Sequence, residues 1–106
     1  MSDYLSVYIM APSRDMAEKI ARNLVEERLA ACVNIMPAVR SIYRWKGKVE
    51  AASEVALIAK TRSALYAQLE KRVKELHSYE CPCIVAWKIE AGFAPYLSWI
   101  AEETKN

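Results

Sequence analysis

A chain of 106 residues suits one domain, 1–106, and excludes a second core of ordinary size. With 54% hydrophobic and 26% charged residues it is too apolar to stay disordered. Its net charge of +2 comes from interspersed acidic and basic residues, which excludes the one-sided positive field of a nucleic-acid binder.

No apolar run is long enough to span a bilayer, so no membrane partner is expected. Met1-Ser2-Asp3-Tyr4 lacks a basic segment followed by an apolar one. No secretory signal is therefore expected, and the expected location is the cytoplasm. Three cysteines are an odd number, which argues against a purely paired disulfide framework. Reduced thiols fit a cytosolic protein.

Residues 4–10, YLSVYIM, are β-rich and predict a buried first strand. Ala11-Pro12-Ser13 breaks it, and Ser13 can cap a helix. Met16, Ala17, Ile20, Ala21, Leu24, Val25 and Leu29 then recur at steps of three and four. That spacing predicts a helix over 14–29 with one apolar face. Glu18 and Arg22 form an i,i+4 pair on its outer face, contributing about 0.2–0.5 kcal/mol.

Cys32 to Lys60 predicts a long hairpin turning at Trp45-Lys46-Gly47-Lys48. Pro37 cannot donate a ladder hydrogen bond and marks a bulge or an edge position in the first arm. Ala51-Ala52-Ser53 is weak strand material, whereas residues 54–60 are stronger. Each arm runs about a dozen residues, roughly twice the usual strand. At ~3.3 Å per residue that spans ~40 Å. A compact fold of this length has a radius of gyration of about 13 Å. The hairpin tip should overhang its own core, which predicts an oligomer.

Ser63 is the expected cap of a second helix over 64–76, with Leu65, Leu69, Val73 and Leu76 inward. His77-Ser78-Tyr79-Glu80 connects it to Cys81-Pro82-Cys83 and a last strand over 84–89. Cys81 and Cys83 are expected in strand conformation, with Cα atoms ~6.6 Å apart and unbridged. Pro95 suits the first turn of a short terminal helix, and 102–106 are expected to fray. The predicted class is α+β. It is a ferredoxin-like split βαβ sandwich, βαββαβ plus a short C-terminal helix, with a long hairpin between the second and third strands. One sheet face is left largely bare, again pointing to assembly.

Four segments in this order resemble the CutA family of divalent-cation tolerance proteins. They are Arg28 to Ile35 (RLAACVNI), Ser41 to Gly47 (SIYRWKG), Lys60-Thr61-Arg62, and His77 to Pro82 (HSYECP). The resemblance covers Tyr4 to Ile100. It implies a homotrimer whose hairpins pair across subunits, similar in shape to PII-type signalling proteins, and tolerance of metals such as copper. Ser78 departs from the family's usual proline. Ala51-Ala52-Ser53 lacks the acidic residues often found there, which weakens any metal role for carboxylates near the hairpin.

Two candidate sites emerge. His77, Cys81 and Cys83, with Cys32 outside, carry imidazole and thiolate donors suited to copper or another divalent cation. The spacing is not a CxxC pair. The competing reading makes Cys32 and Cys83 small core residues, and His77 a helix-end group satisfying carbonyls. Tyr43, Trp45, Lys60, Arg62, Tyr79 and Glu80 combine aromatic walls with charge, as an inter-subunit pocket would. Alternatively they are interface anchors and ion pairs. No triad, reactive thiol or Gly-rich phosphate loop is present, so no enzyme is expected. The expected function is a trimeric metal-tolerance or metal-response protein. The alternative is a PII-like small-ligand sensor or scaffold.

Overall fold

The computed structural model describes residues 3–106. Met1 and Ser2, which open the segment read for a targeting signal, lie outside the described residues. In order come β1 (Tyr4–Ala11), α1 (Arg14–Glu26), β2 (Cys32–Trp45), β3 (Lys48–Arg62), a 3-10 turn (Ser63–Leu65), α2 (Tyr66–Leu76), β4 (Ile84–Lys88) and α3 (Ala94–Glu103). The strands make one antiparallel sheet ordered β2-β3-β1-β4. Each crossover skips one strand: α1 carries the chain past β3, and α2 carries it past β1. That is the expected split βαβ arrangement.

Strand alternation sorts the side chains. Leu5, Val7, Ile9 and Ala11 of β1 face the helices beside Val55, Leu57 and Ala59 of β3. Ala17, Ile20 and Leu24 of α1 and Leu69 and Val73 of α2 close this core. Ile9, Ile20, Leu24, Leu57 and Leu69 are wholly buried, so truncating any one to Ala should cost about 2–5 kcal/mol.

Ser13 caps α1 as expected, its Oγ accepting from the Met16 N–H at 3.2 Å. The helix ends at Glu26, not near Leu29. Arg28 turns left-handed at φ 59°. Its N–H then donates to the Val25 carbonyl, and the Leu29 N–H donates to the Leu24 carbonyl. This is a Schellman termination, in which glycine usually holds the left-handed position. Leu29 is buried through that turn and not through helical periodicity.

Arg28 is present because its side chain acts elsewhere. Its guanidinium donates to the carbonyls of Glu102 (2.6 Å) and Glu103 (3.2 Å), the exposed end of α3. The Lys105 N–H donates back to the Arg28 carbonyl at 2.9 Å. Arg62 Nε donates to Thr104 Oγ1 at 2.9 Å, and its Nη2 donates to the Lys105 carbonyl. Thr104 is 2% exposed. The tail expected to fray at Thr104 and Lys105 is therefore held by two arginines distant in sequence. The second helix also differs in its start: Ser63 opens a 3-10 turn, and neither segment begins on a residue whose side chain caps it.

The hairpin turn is Lys46-Gly47, with φ 49° and 82°, between paired Trp45 and Lys48. Two positive φ values in a two-residue loop match the right-handed twist of the arms. A Cβ on Gly47 would meet nothing, so φ alone selects glycine there. Met36 pairs with Ala56 and Val39 with Glu54, so Pro37 and Ala38 together face Val55. Pro37 thus marks a bulge on an edge strand, fulfilling both expectations, with Ala38 at φ 65°. β1 pairs with β3 only along Val55–Arg62, leaving Lys48–Glu54 to pair with β2 alone. The principal extents of 44, 25 and 23 Å record the resulting projection.

The Arg28 geometry makes a differential prediction. Arg28→Ala keeps the left-handed backbone but loses the α3 bonds, and should lower unfolding free energy by about 1–2 kcal/mol. Arg28→Gly should lose roughly 1 kcal/mol less, because glycine tolerates the conformation. Urea denaturation measures both, and equal losses would contradict the assignment.

Candidate functional site

The two long helices cover one sheet face, and α3 reaches only one end of the other. There Ile100 is wholly buried. Cys32 lies at this end: its Sγ approaches Asn34 Oδ1 at 3.8 Å, and Lys60 Nζ donates to the same oxygen at 3.2 Å. Burial, followed by the charge and hydrogen bonding of Cys32, raises the Tyr96 phenol of α3.

Further along, the hairpin's free half curves over the remaining face. The bulge keeps Val39, Ser41, Tyr43 and Trp45 on the same side as Met36. They face Tyr8 and Met10 of β1, Glu54 of β3, and Tyr79, Glu80, Cys81 and Cys83 of the connection after α2. Together these line a half-open cavity of about 580 Å³. A shallower groove of about 290 Å³ between α1 and edge strand β2 holds none of the expected site residues.

Glu54 is 8% exposed, and the Tyr79 hydroxyl donates to its Oε2 at 2.8 Å. None of the ion pairs among the described residues involves Glu54. Enclosure, followed by the Glu54 charge, pushes the Cys83 thiol up. The connection is held by His77, which caps the end of α2. Its Nε2 lies 2.6 Å from the Met10 carbonyl, and its Nδ1 accepts the Tyr79 N–H at 3.0 Å. A carbonyl only accepts, so the proton sits on Nε2, and both ring nitrogens are engaged. The rings of His77 and Tyr79 lie 4.7 Å apart, tilted by 46° to one another.

These positions revise the metal candidates. Cys81 and Cys83 sit in a bend and an irregular segment before β4, not in a strand. His77 spends both nitrogens on backbone, but on a β1 carbonyl and a loop N–H, where the competing reading expected the carbonyls of its own helix end. Cys32 pairs with Lys60, whose β1 partner Ser6 is four residues from Met10, roughly 13 Å along the strand. Among the described residues no three His, Cys, Asp or Glu side chains converge as metal ligands.

The pocket candidates divide. Tyr43, Trp45, Tyr79 and Glu80 line the cavity together. Lys60 and Arg62 lie at the other end of β3, engaged with Asn34 and with Thr104 and Lys105. Glu54, Tyr8, Met10, Val39 and Ser41 are additional lining residues. Glu54 carried a readable signal: it is a lone carboxylate opening the apolar run EVALIA in a strand.

A family model described as CutA1 divalent ion tolerance protein matches residues 5–103. The divalent-cation tolerance protein CutA of Archaeoglobus fulgidus is 52% identical over 96 residues, covering 91% of this chain and 93% of that relative. Human protein CutA is 43% identical over 101 residues, covering 95% of this chain. The chain spans only 56% of the human relative's length. The divalent cation tolerance protein structure from Thermus thermophilus superposes with a TM-score of 0.95 at 48% identity, over 96% of this chain and 99% of that one.

Burial first, then the bond to Glu54 and its charge, push Tyr79 from the usual 10.0 up to about 12. Because the folded value is the higher, this stabilisation is complete below the unfolded value near 10 and is lost as pH rises toward 12. Ultraviolet titration of the native protein should show a tyrosinate step near 12 that Tyr79→Phe removes and Glu54→Gln lowers. A native Tyr79 step at 10 would contradict the bonded geometry.

Proposed function

The chain belongs to the CutA1 divalent ion tolerance family, and we propose that it serves divalent-cation tolerance as a cytoplasmic homotrimer without catalytic activity. The observation that carries this reading is the match along residues 5–103, with about half of the positions shared with a named divalent-cation tolerance protein. The absence of catalysis is supported by the site chemistry. His77 has no nitrogen free to act as a base, and the Cys83 thiol is pushed away from its nucleophilic form.

Trimerisation is supported by apolar surface that one chain leaves uncovered. Val85 and Trp87 are 47% and 58% exposed on the open sheet face, and Ile42 and Val49 are each 71% exposed on the ribbon. A two-stranded ribbon is only marginally stable by itself, so packing against neighbouring chains completes it. Copper or another divalent cation would bind through the exposed Cys81 thiol, with donors gathered from neighbouring chains. The 580 Å³ cavity favours a second reading, a PII-like small-ligand sensor whose pocket lies at a subunit boundary.

Light scattering at micromolar concentration should return three times the 12.1 kDa chain mass. Trp87→Glu should lower it toward one chain, with circular dichroism confirming that the fold persists. A wild-type monomer would overturn the assembly. Titration with zinc, a redox-inert divalent ion that accepts thiolate ligands, should weaken at least tenfold in Cys81→Ala and by less in His77→Ala, which only loosens the connection; unchanged binding in Cys81→Ala would remove the proposed ligand. Deleting the gene should lower the copper concentration that arrests growth, with wild-type protein restoring it. An unchanged threshold would sink the tolerance reading.

A further inference from the structure

We propose that the cavity between the hairpin ribbon and the open sheet face binds a small organic cation of the alkylated ammonium class. This inference rests on the second reading above, the cavity as a ligand site, and not on cation tolerance. The charge pattern comes first. The cavity's ionisable floor is the 8%-exposed Glu54 carboxylate, with Glu80 at its margin and no lysine or arginine in the lining. One phenol hydrogen bond from Tyr79 orients Glu54 without neutralising it. A buried carboxylate without a cationic neighbour is costly, and a bound cation removes that cost. The same field disfavours phosphates and carboxylates.

The walls then choose among cations. Tyr79 and Tyr43 stand nearest the floor: the Tyr79 hydroxyl bonds Glu54 and the Tyr43 phenol is close enough to act on Tyr79, while Tyr8 and Trp45 line the cavity toward its two ends. Aromatic faces attract weakly hydrated organic cations through their quadrupoles, and aromatic walls beside a carboxylate suit a quaternary ammonium group. A hard divalent ion instead needs several oxygen ligands, and the described residues assemble no such group. The volume of about 580 Å³ falls among small-molecule pockets and exceeds what one metal ion fills.

The test uses choline as probe, with dimethylbutanol, in which carbon replaces the charged nitrogen, as its neutral isostere. Calorimetry on the assembled wild-type protein should show choline binding at least tenfold tighter than the isostere. In carbon-13 spectra of tyrosine-labelled protein the Tyr43 ring signals should shift with the same affinity. Glu54→Gln should weaken choline at least tenfold and abolish the preference over the isostere, with the mass of the assembly unchanged. Tyr43→Leu should weaken choline while keeping its preference over the isostere. Equal binding of the two probes to wild type would overturn the ammonium assignment while leaving a ligand cavity. Binding of neither at tens of millimolar, as when a neighbouring chain fills the space, would overturn the inference and the ligand-site reading together. The zinc and copper experiments are unaffected by either result.

Discussion

β1, at eight residues, pairs with barely half of the fifteen-residue β3, and this mismatch shapes the rest of the molecule. Where β1 is present, β3 lies within a four-stranded sheet with helices packed on it. From Lys48 to Glu54 it has only β2 beside it. Such a ribbon has two uncovered faces and little stability of its own. Its outward Ile42 and Val49 are the most exposed aliphatic side chains of the hairpin. The strands themselves thus create both the molecule's elongation and the uncovered apolar surface on which the proposed assembly rests.

The bulge at Pro37-Ala38 sets how the ribbon leaves the sheet. It inserts one residue opposite Val55, restores alternation, and strengthens the local twist. Val39, Ser41, Tyr43 and Trp45 consequently face the sheet, and the connection after α2 closes the opposite wall. His77 holds that wall by bonding β1 through the Met10 carbonyl and its own loop through the Tyr79 N–H. Tyr79 is thereby placed to reach Glu54. A helix-end histidine with the look of a metal ligand thus serves as the brace that forms the cavity.

Features governed by local chemistry were legible in the sequence. Gly47 announced a turn needing positive φ, Pro37 a broken ladder, and Ser13 a capped helix, and each is found where expected. Features governed by distant partners were not. Leu29 fits the helical period, yet α1 stops before it because Arg28 is recruited to the end of α3. The polar tail reads as loose, yet Thr104 is buried by Arg62. Lys60 and Arg62 have the right chemistry for the pocket, but six and eight residues of extended strand separate them from Glu54, or roughly 20–26 Å. Glu54 stands out in the sequence as a lone carboxylate before an apolar run, but its surroundings come from β1, β2 and the 77–83 connection, which no local pattern shows.

The sequence by itself determined the element order, the split βαβ class, the overlong hairpin with its bend and turn, and the family. Periodicity, φ preferences and ordered motifs are properties of neighbouring residues, so they survive without coordinates of the rest. Only the tertiary structure decided which side chains share a site. It separated Cys32, Lys60 and Arg62 from the cavity, occupied both His77 nitrogens, and joined Glu54 to Tyr79 across the fold. The reason is that strand register and the bulge set these meetings, and one residue of register decides which face of a sheet a side chain joins.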